Sequence, residues 1–261
     1  MDFVKDDGKC VIVAMDHGAA MGAIEGLEDM ERAIKKVSKA DGLLLTYGTA
    51  KRFNSFLKEQ KIPFILRCDH FTSLLSIKPP AIEGYSITAD IDEAQKLGAS
   101  AVMLYLVFGI NSTETFVKNV EAVAGFAEAC NEAGLPLCVE SVLWGKNFAK
   151  EEQNDVKYVK HACRIAAELG ADIIKAPYTG SRESFEEVVK GCYVPITVLG
   201  EAKGDTSDVL KNLRDAMDAG AMGVVFGRNM WQSKEPEKML GAVNRLVHEN
   251  AQVNDVVREL K

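Results

Sequence analysis

Long apolar runs are missing from this 261-residue chain, and no stretch reaches the roughly 20 residues that a membrane-crossing helix needs. The N-terminus, MDFVKDDGKC, has no apolar signal region, so the cytosol is the expected compartment. Positive charge is in deficit. Lys and Arg number 31 against 38 Asp and Glu, a formal net charge of -7. That argues against nucleic acid and anionic membranes as main partners, though a local basic site for one phosphate stays compatible with it. Paired cysteines are also missing. Cys10, Cys68, Cys130, Cys138, Cys163 and Cys192 form no CxxC motif, so neither a disulfide framework nor a zinc site is expected; they read as reduced core residues. No group of His and carboxylates has metal-ligand spacing, so no metal and no other cofactor is expected. There is no GxGxxG after the first apolar run, and no linker or low-complexity segment.

What is present is an alternation of short apolar runs and amphipathic segments. The runs cover 11–15, 43–46, 64–67, 101–106, 137–142, 173–175, 196–199 and 224–226. Continuous apolar strands of this kind fit a parallel sheet buried on both faces. Between them, Leu27, Met30, Ala33, Ile34 and Val37 recur at helical spacing, and further helices are expected over 112–133, 151–169, 182–190, 206–219 and 235–249. Asp205-Thr206-Ser207-Asp208 reads as a helix start. Ala40-Asp41-Gly42, Leu97-Gly98-Ala99, Leu169-Gly170-Ala171 and Ala219-Gly220-Ala221 each end a helix before a strand, where glycine supplies a left-handed terminus. Eight such units at this length predict an α/β fold, a single (β/α)8 barrel domain over residues 1–261. Residues 68–88 are expected to form a long loop over the barrel mouth.

In such a barrel the C-terminal strand ends converge on one pocket. Lys175 closes the apolar strand in GADIIKAPYTGS. A lysine is costly to bury, burial favours its neutral amine, and a neutral amine attacks a carbonyl to give a Schiff base. Asp16 is the leading proton-handling carboxylate. His17, Arg67, Asp69, Glu140, Trp144 and Lys203 fall at other strand ends as candidate substrate-binding groups. Gly227-Arg228-Asn229 opens a helix after the last strand and suits a phosphate, with Gly200 and Lys203 completing the cup. His161 and His248 are expected on helix surfaces.

These blocks bear a resemblance. Met15-Asp16-His17-Gly18, the run from Gly170 to Gly180 and Gly227-Arg228-Asn229 resemble, in order and spacing over nearly the whole chain, the class I aldolases of the archaeal fructose-bisphosphate aldolase type. That group includes the aminodideoxyheptulosonate synthases and the phospho-autoinducer-2 thiolase. The resemblance implies a TIM barrel with Lys175 as Schiff-base lysine, Asp16 as proton carrier, and Gly227 with Arg228 in the phosphate site. It implies a sugar phosphate or related ketose as small-molecule partner, and a homo-oligomer of the ring-like, often decameric kind. Two positions depart from the family pattern. Its Tyr-Pro-Arg-Gly run, whose tyrosine is the general acid, reads Val142-Leu143-Trp144-Gly145 here, leaving Tyr105 and Tyr178 as candidate replacements. The usual glycine pair after strand seven reads Gly200-Glu201, which sets a carboxylate beside the phosphate cup. Cleavage or formation of a ketose carbon–carbon bond is the expected chemistry. A transaldolase-like or thiolase-like transfer, and a lapsed metabolite-binding barrel, are the alternatives.

Overall fold

The computed structural model describes residues 1–71, 84–200 and 203–260. In chain order its strands are β1 (Cys10–Ala14), β2 (Gly42–Thr46), β3 (Phe64–Arg67), β4 (Asp69–Phe71), β5 (Tyr85–Ile87), β6 (Ala101–Val107), β7 (Leu137–Val142), β8 (Ile173–Ala176), β9 (Ile196–Leu199) and β10 (Gly223–Phe226). All but β4 and β5 pair in parallel and close in the order β1-β10-β9-β8-β7-β6-β3-β2. The helices are α1 (Gly18–Met21), α2 (Met30–Lys36), α3 (Tyr47–Glu59), α4 (Ile91–Leu97), α5 (Thr113–Ala133), α6 (Val156–Glu168), α7 (Arg182–Lys190), α8 (Thr206–Asp218), α9 (Arg228–Trp231), α10 (Pro236–His248) and α11 (Val253–Glu259). Together they make the (β/α)8 barrel that the alternation predicts. None of the described helices is long and apolar enough to cross a membrane.

The strands divide their side chains by the two-residue period of a strand. Cys10, Ile12, Ala14, Leu44, Ile65, Ala101, Met103, Cys138, Ile173 and Val225 form one buried cluster that contains no helix residue: the barrel interior. Their neighbours in sequence, among them Val11, Val13, Leu43, Leu45, Val139 and Ile174, pack with helix residues in the outer layer. Phe3, 1% exposed, joins the inner cluster and plugs the floor of the barrel. The N-terminal segment is tied there by His248, whose Nδ1 lies 2.9 Å from Asp7 and whose Nε2 lies 2.9 Å from Asp41. His248 is thus half-buried and paired, where the helix pattern alone placed it on the surface.

Helix α3 sets Ala50 and Leu57 in the core with Tyr47, Phe53 and Phe56 packed against it, and α4 opens on a capping box in which Asp90 accepts from the Glu93 amide and Glu93 from that of Asp90. Three other expectations need correction. The 151–169 segment is broken, with a 3₁₀ turn at Lys150–Glu152 and α6 starting only after the Asp155 cap. Gly98, Gly170 and Gly220 do have positive φ, but Gly42 does not. It begins β2, and a Cβ there would lie 3.0 Å from the Phe3 Cβ and 3.1 Å from the Ile12 Cδ1. Close approach to the floor plug therefore explains Gly42. The irregular stretch after β3 contains an antiparallel ribbon, β4 with β5, pairing Asp69 with Ile87 and Phe71 with Tyr85. The rest of that expected loop, 72–83, lies outside the described residues.

The floor plug makes a stability prediction. Phe3→Ala should lower the unfolding free energy by about 3–5 kcal/mol, read from urea midpoints at constant m-value. A loss within error of zero would mean that Phe3 does not fill the floor.

Candidate active site

The period that sorts the core also builds the site. Asp16, Arg67, Tyr105, Glu140 and Lys175 each stand two residues beyond an inward apolar residue: Ala14, Ile65, Met103, Cys138 and Ile173. Each therefore points into the barrel mouth. Strand register sets three of them side by side, Tyr105 opposite Glu140 and Glu140 opposite Lys175. Lys175 is 6% exposed, and its Nζ sits 2.8 Å from Glu140 Oε1.

Arg67 is the hub. Its Nε donates to Asp16 Oδ2 at 2.9 Å, its Nη2 to Glu140 Oε2, and its Nη1 reaches Asp69 Oδ1 at 3.5 Å. Its guanidinium carbon lies 3.7 Å from the centroid of the Tyr105 ring. Asp69 also accepts from the Tyr105 amide (2.6 Å) and from the Tyr85 hydroxyl (3.0 Å). Asn119, fully buried on α5, accepts from the Val107 amide and donates to the Tyr105 carbonyl, fixing β6. Three carboxylates around one guanidinium explain the burial of so much charge, since an unpaired buried charge costs far more than a paired one.

These groups line a cavity of about 240 Å³ that also takes in His17, His70, Trp144, Gly200, Gly227 and Arg228. Its size suits a small metabolite rather than a polymer. The Arg228 Nε is buried and has no hydrogen-bond partner. At Gly227, just past β10, a Cβ would fall 2.3 Å from the His17 Cε1, so a larger residue there would push the imidazole aside. The indole N–H of Trp231 donates to the Ala14 carbonyl (2.9 Å), and its ring meets His17 edge-on at 5.3 Å.

Electrostatics separate the acids. Burial alone would raise Asp16, but Arg67, His17 and Lys175 outweigh it and hold its carboxyl below the ordinary range. Burial raises the Tyr105 hydroxyl well above the ordinary tyrosine value; Arg67 opposes this and the surrounding carboxylates add to it. Burial lowers His17, with Lys175 and Arg228 acting the same way against Asp16 and Glu140.

Not every expected residue is brought in. Tyr178, a candidate acid in the sequence, belongs to the outer layer: its ring packs tilted against Phe185 and lines a separate cleft with Val198, Gly204 and Asn229. Residue 178 falls beyond the end of β8, where inward parity no longer applies. Lys203 is exposed and does not line the cavity. Glu201 lies outside the described residues. Val142, at the position of the family tyrosine, is fully buried against Phe71, Val107 and Ile110 beneath the β4–β5 ribbon. His70, Tyr85, Asn119 and Trp231 were not singled out from sequence. Of these, only His70 carried a signal there, by following Asp69 at the end of the third barrel strand.

The chain belongs to the DeoC/LacD family of aldolases, whose pattern it matches over residues 10–233. It is 33% identical over 98% of its length to 2-amino-3,7-dideoxy-D-threo-hept-6-ulosonate synthase 1 of Archaeoglobus fulgidus, 93% of which is covered. It is 32% identical over 93% of its length to 3-hydroxy-5-phosphonooxypentane-2,4-dione thiolase of Escherichia coli, 78% of which is covered. Among solved structures it is similar to a Schiff-base-forming fructose-1,6-bisphosphate aldolase, with 30% identity, a TM-score of 0.82 and coverage of 94% of this chain and 97% of that one.

Asp69 gives the site a pH signature. Burial pushes its carboxyl up to about 7, against Arg67 and the hydrogen bonds from Tyr105 and Tyr85. Below about pH 4 folded and unfolded chains both hold this proton; as pH rises the unfolded chain releases it first, so the stability Asp69 lends is lost through about pH 7. Asp69→Asn should therefore gain stability relative to the parent protein across that window. A difference in urea midpoint that stays flat with pH would refute the assignment.

Proposed function

We propose that the protein is a class I aldolase that makes or breaks a carbon–carbon bond of a phosphorylated or anionic ketose through an iminium on Lys175. The observation that carries this reading is a buried lysine held 2.8 Å from a carboxylate inside the mouth of an aldolase-family barrel. Its nitrogen attacks the ketone carbon of the ketose, and the protonated iminium draws the electrons of the adjacent carbon–carbon bond as it breaks, leaving on the lysine the enamine of a three-carbon unit such as dihydroxyacetone phosphate. Asp16, kept ionised by Arg67, takes the proton of the substrate hydroxyl whose carbon becomes the aldehyde. Tyr105, kept protonated, offers a neutral donor to the substrate oxygens. Arg228 meets the phosphate with the amides of the short α9 turn, and Gly200 and Gly227 let the group approach the backbone.

A transfer reaction on the same lysine is the second reading. It is favoured by the valine at the family's tyrosine position and by similarity to proteins named as a synthase and a thiolase. Product that forms only when a second acceptor is supplied would select it.

Incubation with dihydroxyacetone phosphate and borohydride should add the mass of the reduced adduct to Lys175, and Lys175→Met should abolish it. No adduct across a broad panel of ketoses and sugar phosphates would sink the reading. Arg228→Ala should raise KM for the phosphorylated ketose about 10–100-fold, as loss of a charge-assisted contact would, with far less effect on the dephosphorylated analogue. Equal effects on both would remove Arg228 from the phosphate site.

A further inference from the structure

The geometry points to Glu140 as the proton relay of iminium formation, the task left vacant by the valine at position 142. This rests on the Schiff-base reading of Lys175 and goes beyond it by naming the group that moves the protons.

Glu140 is 3% exposed and stands on the strand next to Lys175, directly opposite it in register. Its oxygens are divided: Oε1 faces the Lys175 nitrogen at 2.8 Å, and Oε2 is held by Arg67 Nη2. Arg67 is itself fixed by Asp16 and by the Tyr105 ring, and it approaches Asp69. One oxygen thus anchors the carboxylate while the other lies within proton-transfer reach of the nucleophile. Tyr105 is placed differently. Its backbone and ring are bound to Asn119, Asp69 and Arg67, and no contact joins it to Lys175. Asp16 is engaged with Arg67 across the mouth.

The steps balance with no outside reagent. The Lys175 ammonium gives one proton to Glu140 Oε1. The freed amine forms the C–N bond, and the carbonyl π pair moves to oxygen. One of the two protons on the new C–N nitrogen passes to that oxygen, giving a neutral carbinolamine. Protonated Glu140 then donates to the carbinolamine hydroxyl, the C–O bond breaks and water leaves. The products are a protonated iminium and a regenerated carboxylate. Glu140 begins and ends charged, so the pair with Arg67 is retained throughout the cycle.

Rapid-quench borohydride trapping with dihydroxyacetone phosphate tests this. Glu140→Gln keeps the shape of the side chain but cannot carry a proton, so adduct formation on Lys175 should slow by about a hundredfold or more. A carboxylate that serves only as counter-ion predicts the opposite, because its removal frees the amine: trapping in Glu140→Gln as fast as in the parent protein, or faster, overturns the relay and leaves the lysine chemistry standing. Glu140→Ala should regain rate with added formate, in proportion to its concentration, and absence of rescue counts against the relay. Circular dichroism confirms that each variant is folded; if Glu140→Gln is not, Glu140→Asp replaces it and should outpace Glu140→Ala. Failure of the parent protein itself to form an adduct would overturn the Schiff-base reading, and the relay with it.

Discussion

One buried guanidinium holds the barrel mouth together. From the end of β3, Arg67 binds Asp16 just past β1, Glu140 on β7 and Asp69 on the β4–β5 ribbon at once. Removing it would strand three carboxylates in a dry interior, where breaking a single buried pair costs about 3–5 kcal/mol. The same contacts decide ionisation. Asp16 is pulled below its ordinary range, whereas Asp69, equally buried, is not rescued by its longer contact and stays high. A single cation thus gives two neighbouring aspartates opposite preferences for the proton.

Much of this was legible in the sequence because strand period and strand ends are local signals. The apolar runs located the eight barrel strands, and the order of blocks pointed to the family to which the chain belongs. The inward set Asp16, Arg67, Tyr105, Glu140 and Lys175 follows from counting by two once strand ends are known. What escaped was set by contacts between distant segments. Tyr178 lay past its strand, where parity fails, and Lys203 is exposed outside the cavity lining. Asn119 and Tyr85, which fix Tyr105 and Asp69, sit far from them in sequence and carry no motif.

The exchange of a tyrosine for Val142 is a packing event as well as a chemical one. Val142 completes an apolar patch with Phe71, Val107, Ile110 and Leu199 under the ribbon, and Trp144 stands 36% exposed at the rim, 5.9 Å from the Tyr105 ring. That wall of the mouth is therefore drier than a hydroxyl there would make it. Polar work is concentrated one layer deeper on the same strands, in the ladder that runs from Tyr105 through Glu140 to Lys175.

The contact between Gly227 and His17 lies on the seam where the first and last strands meet. Any side chain at position 227 must evict the imidazole, and a smaller residue at position 17 would leave Trp231 without its edge partner. Substitutions at positions 17 and 227 are thus coupled to each other, and to the seat of Trp231, through the join of the barrel's two ends.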